Sequence, residues 1–373
     1  MKKIIVLIIV ITLGFSLSLT TEGLTAEEFL EEQKELSGVE NLEEALPKDS
    51  KEFLKQNGIN AGENDWVGKI SVSEVFKFLL DGAKKKLTAP FSIATLILAV
   101  VLISGILTAH QNSISATTAA FAVTAASAAI ITAPLLNVIN SAVGVLQSVS
   151  VFMTAFVPTF AVIVAVNGQA ATSVSMSGLL LGATQVVEIV ANHFVIPLMC
   201  GYLSVSIASG VSPLLAKTNL NESLKKISFW IMSLTTTVFL GVLSIQTTIS
   251  ASADSLTMRT ARFVIGSSVP VAGAVLSEAL TTVTASLGIL KTSVAIYGVV
   301  ACCVIFLPLL IELILWRLCL NVTSIVAQIL SSENISRLLK CVDTAVSVLC
   351  GIILLSMALF VISLSVVVSV GKV

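Results

Sequence analysis

Charged side chains are scarce in this sequence, and so are the groups that soluble enzymes use. Only 12% of the 373 residues are charged and 6% are aromatic, and there are 2 histidines. Soluble domains carry about 25% charged residues. The sequence contains no Walker loop, no GxGxxG between a strand and a helix, no HExxH and no GxSxG. It therefore argues against an enzyme and predicts no cofactor, with a membrane enzyme using Glu188 or Glu278 as the remaining catalytic alternative.

Patterns typical of nucleic-acid or metal binding are also missing. The 21 Lys and Arg residues form no basic stripe, which excludes nucleic acid as a partner. The six cysteines lie in or beside apolar segments, without a CxxC motif or a Cys/His cluster. We interpret them as small hydrophobic residues, not as metal ligands.

Apolar residues dominate instead: they make up 55% of the chain, and the mean hydropathy is +1.00. After Thr88 the sequence stays almost continuously apolar to its end. This composition predicts that residues 89–373 form an all-α, polytopic bundle of transmembrane helices in a lipid bilayer.

The N-terminal part of the chain has a different character. Residues 1–20 combine Lys2 and Lys3 with an apolar run, the pattern of a signal peptide, and an uncleaved signal anchor is the alternative. Residues 21–88 are then expected to be an acidic exported segment, because residues 20–89 hold 15 acidic and 9 basic side chains. Its apolar spacing predicts short amphipathic helices, followed by an interfacial helix that ends at Lys86. A solvated linker is the alternative.

Spans can be assigned by length, since about 20 apolar residues cross about 30 Å of hydrocarbon. Five stretches fit one crossing each: Phe91 to Ala109, Thr117 to Val138, Val143 to Val166, Ile227 to Ile249 and Ala345 to Val368. Residues 171–212 are too long for one span, and we expect two, broken between Asn192 and Pro197. Residues 264–290 are compatible with either a kinked span or a re-entrant pair of half-helices. Residues 293–330 are expected to form one crossing that is kinked near Pro308. The total is about eight spans, or nine if 264–290 crosses.

A few polar or helix-breaking residues within the apolar region are candidate gating or pathway residues. An ion or proton pathway would use ionisable groups that face the bundle interior, and Glu188 with His193 is a candidate relay. The alternative is that such groups form structural pairs between helices or lie near the membrane interfaces. The full candidate set is Glu188, His193, Pro270, Gly273, Glu278, Lys291, Glu312 and Arg317.

Two stretches resemble a known family. They are FMTAFVPTFAVIVAVNGQAATSVS at residues 152–175 and the longer segment 259–318, with the motifs AFVPTF, NGQ, SVPVAG and the triplet that begins at Lys291. These motifs, and the order of signal, acidic segment and polytopic region, are similar to those of the stage III sporulation protein AE family. The resemblance covers nearly the whole chain but includes no catalytic constellation.

The resemblance implies a non-enzymatic, multi-pass subunit of the channel or secretion-like complex that links mother cell and forespore during endospore formation. The expected location is the mother-cell-derived membrane around the forespore. Expected partners are the other stage III sporulation A-operon proteins, including a secretion-type ATPase and ring proteins of the intermembrane space, and self-association is a further expectation. The residues alone leave one competing function open, a secondary transporter with its site at broken helices near Pro158 and Gly168, or near Pro270 and Gly273.

Overall fold

The computed structural model describes residues 26–63, 66, 72–109, 113–211, 220–268, 272–330 and 332–370, and every regular element in these ranges is a helix. The all-α prediction is therefore confirmed. The predicted signal at residues 1–20 lies outside the described residues. In chain order the elements are α1 (Ala26–Ser37), a 3-10 helix (Val39–Glu43), α2 (Lys48–Gln56), α3 (Val72–Ala109), α4 (Ser113–Val166), α5 (Ala170–Ile189), a π-helical segment (Val190–Val195), α6 (Ile196–Val211), α7 (Leu220–Ser268), α8 (Ala272–Ile329) and α9 (Glu333–Val370).

Six helical stretches in the described part of the chain are long and apolar enough to cross a membrane. They are Lys86–Ile103, Phe121–Val166, Ala170–Val205, Lys226–Thr260, Leu287–Ile329 and Glu333–Ser365. The length and composition of these helices therefore indicate a polytopic helical protein. The described residues do not bear out the expected eight spans, because three of the breaks between those spans are helical.

The first such break was expected between Val138 and Val143. The structure corrects this prediction, since α4 is one helix of 54 residues. Residues 139–142 contain no Gly or Pro, and Ile139 and Ala142 are buried in the core, so nothing there ends a helix. At about 1.5 Å per residue α4 is about 81 Å long, well beyond the bilayer core of about 30 Å.

The second expected break, between Asn192 and Pro197, is present as a change of helix type. The helical path widens into a π-helix at Val190–Val195 and resumes as α6 at Ile196. Pro197 therefore lies inside a continuous helical path, where its missing N–H and its ring disrupt the regular hydrogen-bond ladder, and the π-helical widening directly before it accommodates this disruption. The chain continues in helical form instead of turning back, which corrects the prediction of two separate spans.

The third correction concerns residues 264–330. Residues 269–271, including Pro270, lie outside the described ranges, but α8 begins at Ala272 and runs for 58 residues to Ile329. Residues 272–290 are therefore joined to residues 293–329 in one helix, which accommodates Pro308, whereas residues 264–268 form the end of α7. Helix α8 contacts α3, α4, α7 and α9 and forms the centre of the bundle.

The aromatic core fixes the register between α4 and α8. Phe152, Phe156 and Phe160 form a stacked row along α4, with centroid separations of 5.5 and 5.4 Å. Phe156 packs directly over Gly298, where a Cβ would lie 2.5 Å from the ring. The C-terminal end of α4 consequently lies beside residues 288–298 of α8.

The N-terminal segment, residues 26–66, consists of short helices, as predicted. Its buried residues include Val39, Leu42 and Leu54, whereas Leu36 is exposed. α1 and the 3-10 helix contact α4, and α1 and α2 contact α8. The predicted interfacial helix is not separate from the first span, because α3 continues from Val72 through Pro90 to Ala109.

Candidate functional site

The turn between α4 and α5 carries the NGQ motif and is the only non-helical link between these two long elements. Asn167, Gly168 and Gln169 close the end of α4 through backbone hydrogen bonds to Ile163, Ala165 and Val164. Gly168 has φ of +76°, the left-handed region that favours glycine. A Cβ at this position would lie 2.7 Å from Met258 Sδ of α7. The turn thus requires glycine for its backbone, and a side chain at this position would displace the end of Met258.

Asp254 of α7 caps the helix that follows this turn. Its carboxylate accepts hydrogen bonds of 2.8 Å from the backbone N–H groups of both Ala171 and Thr172. The first amides of a helix have no partner within the helix, and Gln169 at the N-cap position provides no side-chain hydrogen bond. Asp254 is only 6% exposed. A carboxylate from α7 therefore satisfies the α5 amides and complements the positive end of the helix dipole.

Lys291 of α8 binds the same turn. Its ammonium donates a hydrogen bond of 2.7 Å to Gln169 Oε1, and the residue is 3% exposed. Asp254 interacts electrostatically with Lys291 and supplies the opposite charge. A buried ammonium is costly unless it is hydrogen-bonded and neutralised nearby. We call Asn167, Gly168, Gln169, Asp254 and Lys291 the polar junction, since they tie α4, α5, α7 and α8 together.

Asp254 and Lys291 are both buried, and each binds a partner within the protein. The polar junction therefore has no exposed acid, base or nucleophile among its described groups. Its chemistry is that of a structural joint: one buried negative charge, one buried positive charge and an amide that accepts a hydrogen bond. Among the described residues no group of three or more His, Cys, Asp or Glu side chains is placed to hold a metal ion.

The model of the family described as Stage III sporulation protein AE matches residues 49–371. The chain belongs to the stage III sporulation protein AE family. The match includes the whole polar junction and every candidate residue proposed from the sequence.

A curated member of the stage III sporulation protein AE family, from Bacillus subtilis (strain 168), is 26% identical to this chain over 235 residues. The aligned part covers 63% of this chain and 59% of the relative, so it spans less than two thirds of that protein's length. No solved structure matches the chain.

Glu188, a further candidate residue in this member of the family, pairs between helices. Glu188 of α5 accepts a hydrogen bond of 2.8 Å from Ser150 of α4. His193 is exposed in the π-helical segment. Among the contacts of the described residues, no hydrogen bond or ion pair joins Glu188 to His193. The relay remains a prediction, while the Ser150 bond gives Glu188 a structural role.

The candidates Glu312 and Arg317 each have a partner on another helix. Lys86 of α3 forms an ion pair of 2.8 Å with Glu312. Arg317 Nε lies 3.3 Å from Asp343 Oδ1 of α9. These pairs link α3 to α8 and α8 to α9, as the structural alternative from the sequence predicted.

The three remaining candidates lie at or just before the start of α8 in the sequence. Gly273 lies in the first turn of α8, Glu278 lies in the same helix without a described side chain, and Pro270 lies outside the described residues. Sequence reasoning missed Asp254, Asp343 and the partner roles of Lys86 and Gln169. A lone carboxylate inside a long apolar helix was the available signal for Asp254, since such a group needs a partner in the bundle.

Proposed function

We propose that this protein is a non-enzymatic membrane subunit of the channel or secretion-like complex that links mother cell and forespore during endospore formation. Membership of the stage III sporulation protein AE family supports a sporulation role. The six apolar helices support a multi-pass membrane protein. Its proposed location is the mother-cell-derived membrane around the forespore.

One structural observation favours a scaffold or export-gate role: three of the described intramembrane charges pair with other parts of the protein. Lys291, Glu312 and Arg317 each bind a partner on a different element. Charges that line a transport path need to remain available to the transported species, whereas these are engaged within the protein. A subunit that provides fixed helical surfaces to other proteins fits this arrangement.

The proposed partners are the other stage III sporulation A-operon proteins, including a secretion-type ATPase and ring proteins of the intermembrane space. Affinity purification of the tagged protein from cells engulfing a forespore, followed by mass spectrometry, tests this proposal. The untagged strain is the control. We expect the ATPase and the ring proteins to be enriched. Their absence from a strain that expresses the tagged protein would contradict the proposal.

A stand-alone secondary transporter is the second candidate function. It is favoured by the break between α4 and α5, where buried Asp254 and Lys291 meet a non-helical turn, since transporter sites form at broken helices. Purified protein reconstituted alone into liposomes distinguishes the two functions. Ion-coupled solute uptake that is lost in Asp254→Asn and retained in Ser252→Ala, an exposed site on α7, would favour the transporter.

A further inference from the structure

The N-terminal segment contacts the membrane helices one residue away from the polar junction. A Cβ built on Gly62 would lie 3.4 Å from Leu290 Cδ1 and 3.2 Å from Val39 Cγ1. Val39 is 1% exposed and Leu290 is 3% exposed, so both side chains that Gly62 faces are buried. Leu290 directly precedes Lys291 in α8. We call Val39 and Leu290, against which Gly62 lies, the seat of the N-terminal segment.

The segment that occupies the seat is held together by its own interactions. Lys55 of α2 forms an ion pair of 3.7 Å with Glu43 of the 3-10 helix. Trp66 is buried and donates a hydrogen bond of 2.8 Å from Nε1 to the backbone oxygen of Asn60. The loop that carries Gly62 is also tied to α2, because the Ile59 amide donates a hydrogen bond of 2.9 Å to the backbone oxygen of Leu54.

We propose that the N-terminal segment is a brace that sets the geometry of the polar junction through Leu290. A helix is stiff over one residue, so a shift of α8 at Leu290 also moves Lys291. Hydrogen bonds weaken steeply as their geometry is lost. Lys291 binds Gln169, which lies two residues before Ala171, the first residue whose amide Asp254 caps. Lifting the segment from its seat loosens the junction, and a protein that binds the segment acts on the membrane helices by this route. The inference goes beyond the proposed function and does not depend on it.

Two glycines of the segment form a matched pair for the test. Gly62 and Gly58 both have positive φ, +81° and +63°, so alanine at either position strains the backbone in the same way. Only Gly62 faces the seat, because a Cβ on Gly58 has nothing within 4 Å. A difference between Gly62→Ala and Gly58→Ala therefore reports on the seat and not on the loop conformation.

The readout is hydrogen–deuterium exchange of the Ala171 and Thr172 amides in the purified full-length protein, measured by mass spectrometry. These amides are protected by Asp254, so their exchange rate reports opening of the junction. We expect Gly62→Ala to raise their exchange rate about tenfold, and Gly58→Ala to leave it unchanged.

Val39→Ala is the second variant, since it removes side-chain atoms from the seat without introducing strain. If Gly62→Ala unfolds the protein, exchange also rises across Phe152 to Phe160, and Val39→Ala then decides. Faster exchange at Ala171 and Thr172 in Val39→Ala supports the brace. Unchanged exchange at these amides, while residues 39–62 exchange faster, overturns it. Sporulation and complex assembly are not used as readouts, so failure here is distinguishable from failure of the proposed function.

Discussion

The ammonium of Lys291 and the side-chain amide of Gln169 are joined by a hydrogen bond of 2.7 Å, although 122 positions separate the two residues in the chain. The bond connects α8 to the turn between α4 and α5. Asp254 of α7 binds the backbone amides of Ala171 and Thr172, the second and third residues after this turn. Three separate segments therefore depend on one small set of polar contacts, which makes the junction a sensitive place to perturb.

Replacing Lys291 with methionine tests the first of these contacts. The substitution keeps an unbranched side chain but leaves Gln169 Oε1 without its donor and Asp254 without the neighbouring cation. Because a buried polar group without a partner costs free energy, we expect Lys291→Met to destabilise the protein by about 1–3 kcal/mol. Thermal unfolding of the purified protein in detergent measures this. Lys340→Met, at an exposed position of α9, is the control, and equal melting temperatures for the two variants would contradict the prediction.

Asp254→Asn tests the cap from α7. The amide keeps the shape of the carboxylate but presents an NH₂ group to one of two backbone donors, so Ala171 or Thr172 loses its acceptor. We expect faster hydrogen–deuterium exchange at the start of α5 and a loss of about 1–2 kcal/mol of stability. Ser252→Ala, also on α7 but exposed, should leave both quantities unchanged. Protected amides in Asp254→Asn would show that another group caps α5.

The overall plan of the fold could be predicted from the sequence because hydrophobic length is a strong signal. Helices and their apolar character follow from runs of about 20 apolar residues. Their ends do not follow as reliably, since a polar residue inside an apolar run can either end a helix or find a partner in the bundle. The stretch between Val138 and Val143 is predicted to separate two spans and instead lies inside α4. The absence of Gly and Pro from residues 139–142 is the one local feature that favours a continuous helix there.

The candidate site shows the same limit more clearly. Lys291 and the NGQ motif were both noticed in the sequence, but nothing indicated that they meet. Their contact depends on the antiparallel register of α4 and α8, which Phe156 and Gly298 fix by close packing. Asp254 was missed because it caps the amides of Thr172 and Ala171, which lie 82 and 83 positions earlier in the chain. Long-range register is a property of packing, and spacing along one helix does not reveal it.

The Lys86–Glu312 ion pair predicts a rescue by charge reversal. Glu312 is 12% exposed in its side chain, so Glu312→Lys places two cations together at a poorly solvated position between α3 and α8. We expect this variant to reduce the yield of folded protein in membranes. The double variant Lys86→Glu with Glu312→Lys should recover most of the loss, because the pair is restored with its signs exchanged. Fluorescence-detected size-exclusion chromatography measures folded protein, and a double variant no better than the single one would show that the pair does not stabilise the packing.

The contact between Gly298 and Phe156 predicts that one added methyl group disturbs the core. A Cβ at Gly298 would lie 2.5 Å from Phe156 Cζ, and the stacked Phe152 and Phe160 restrict the ring from moving away. Overpacking of a well-packed core typically costs about 1–3 kcal/mol. We therefore expect Gly298→Ala to lower the melting temperature of the purified protein.

Gly182→Ala on α5 is the matched control, because a Cβ there meets nothing within 4 Å and alanine has the higher helix propensity. That variant should melt at the same temperature as the unaltered protein or slightly above it. A third variant, Gly298→Ala with Phe156→Leu, removes the ring that the methyl group meets and should be less destabilised than the sum of the single changes. If the two changes are additive, Phe156 is not the group that excludes a side chain at residue 298, and the register between α4 and α8 must be set by other contacts.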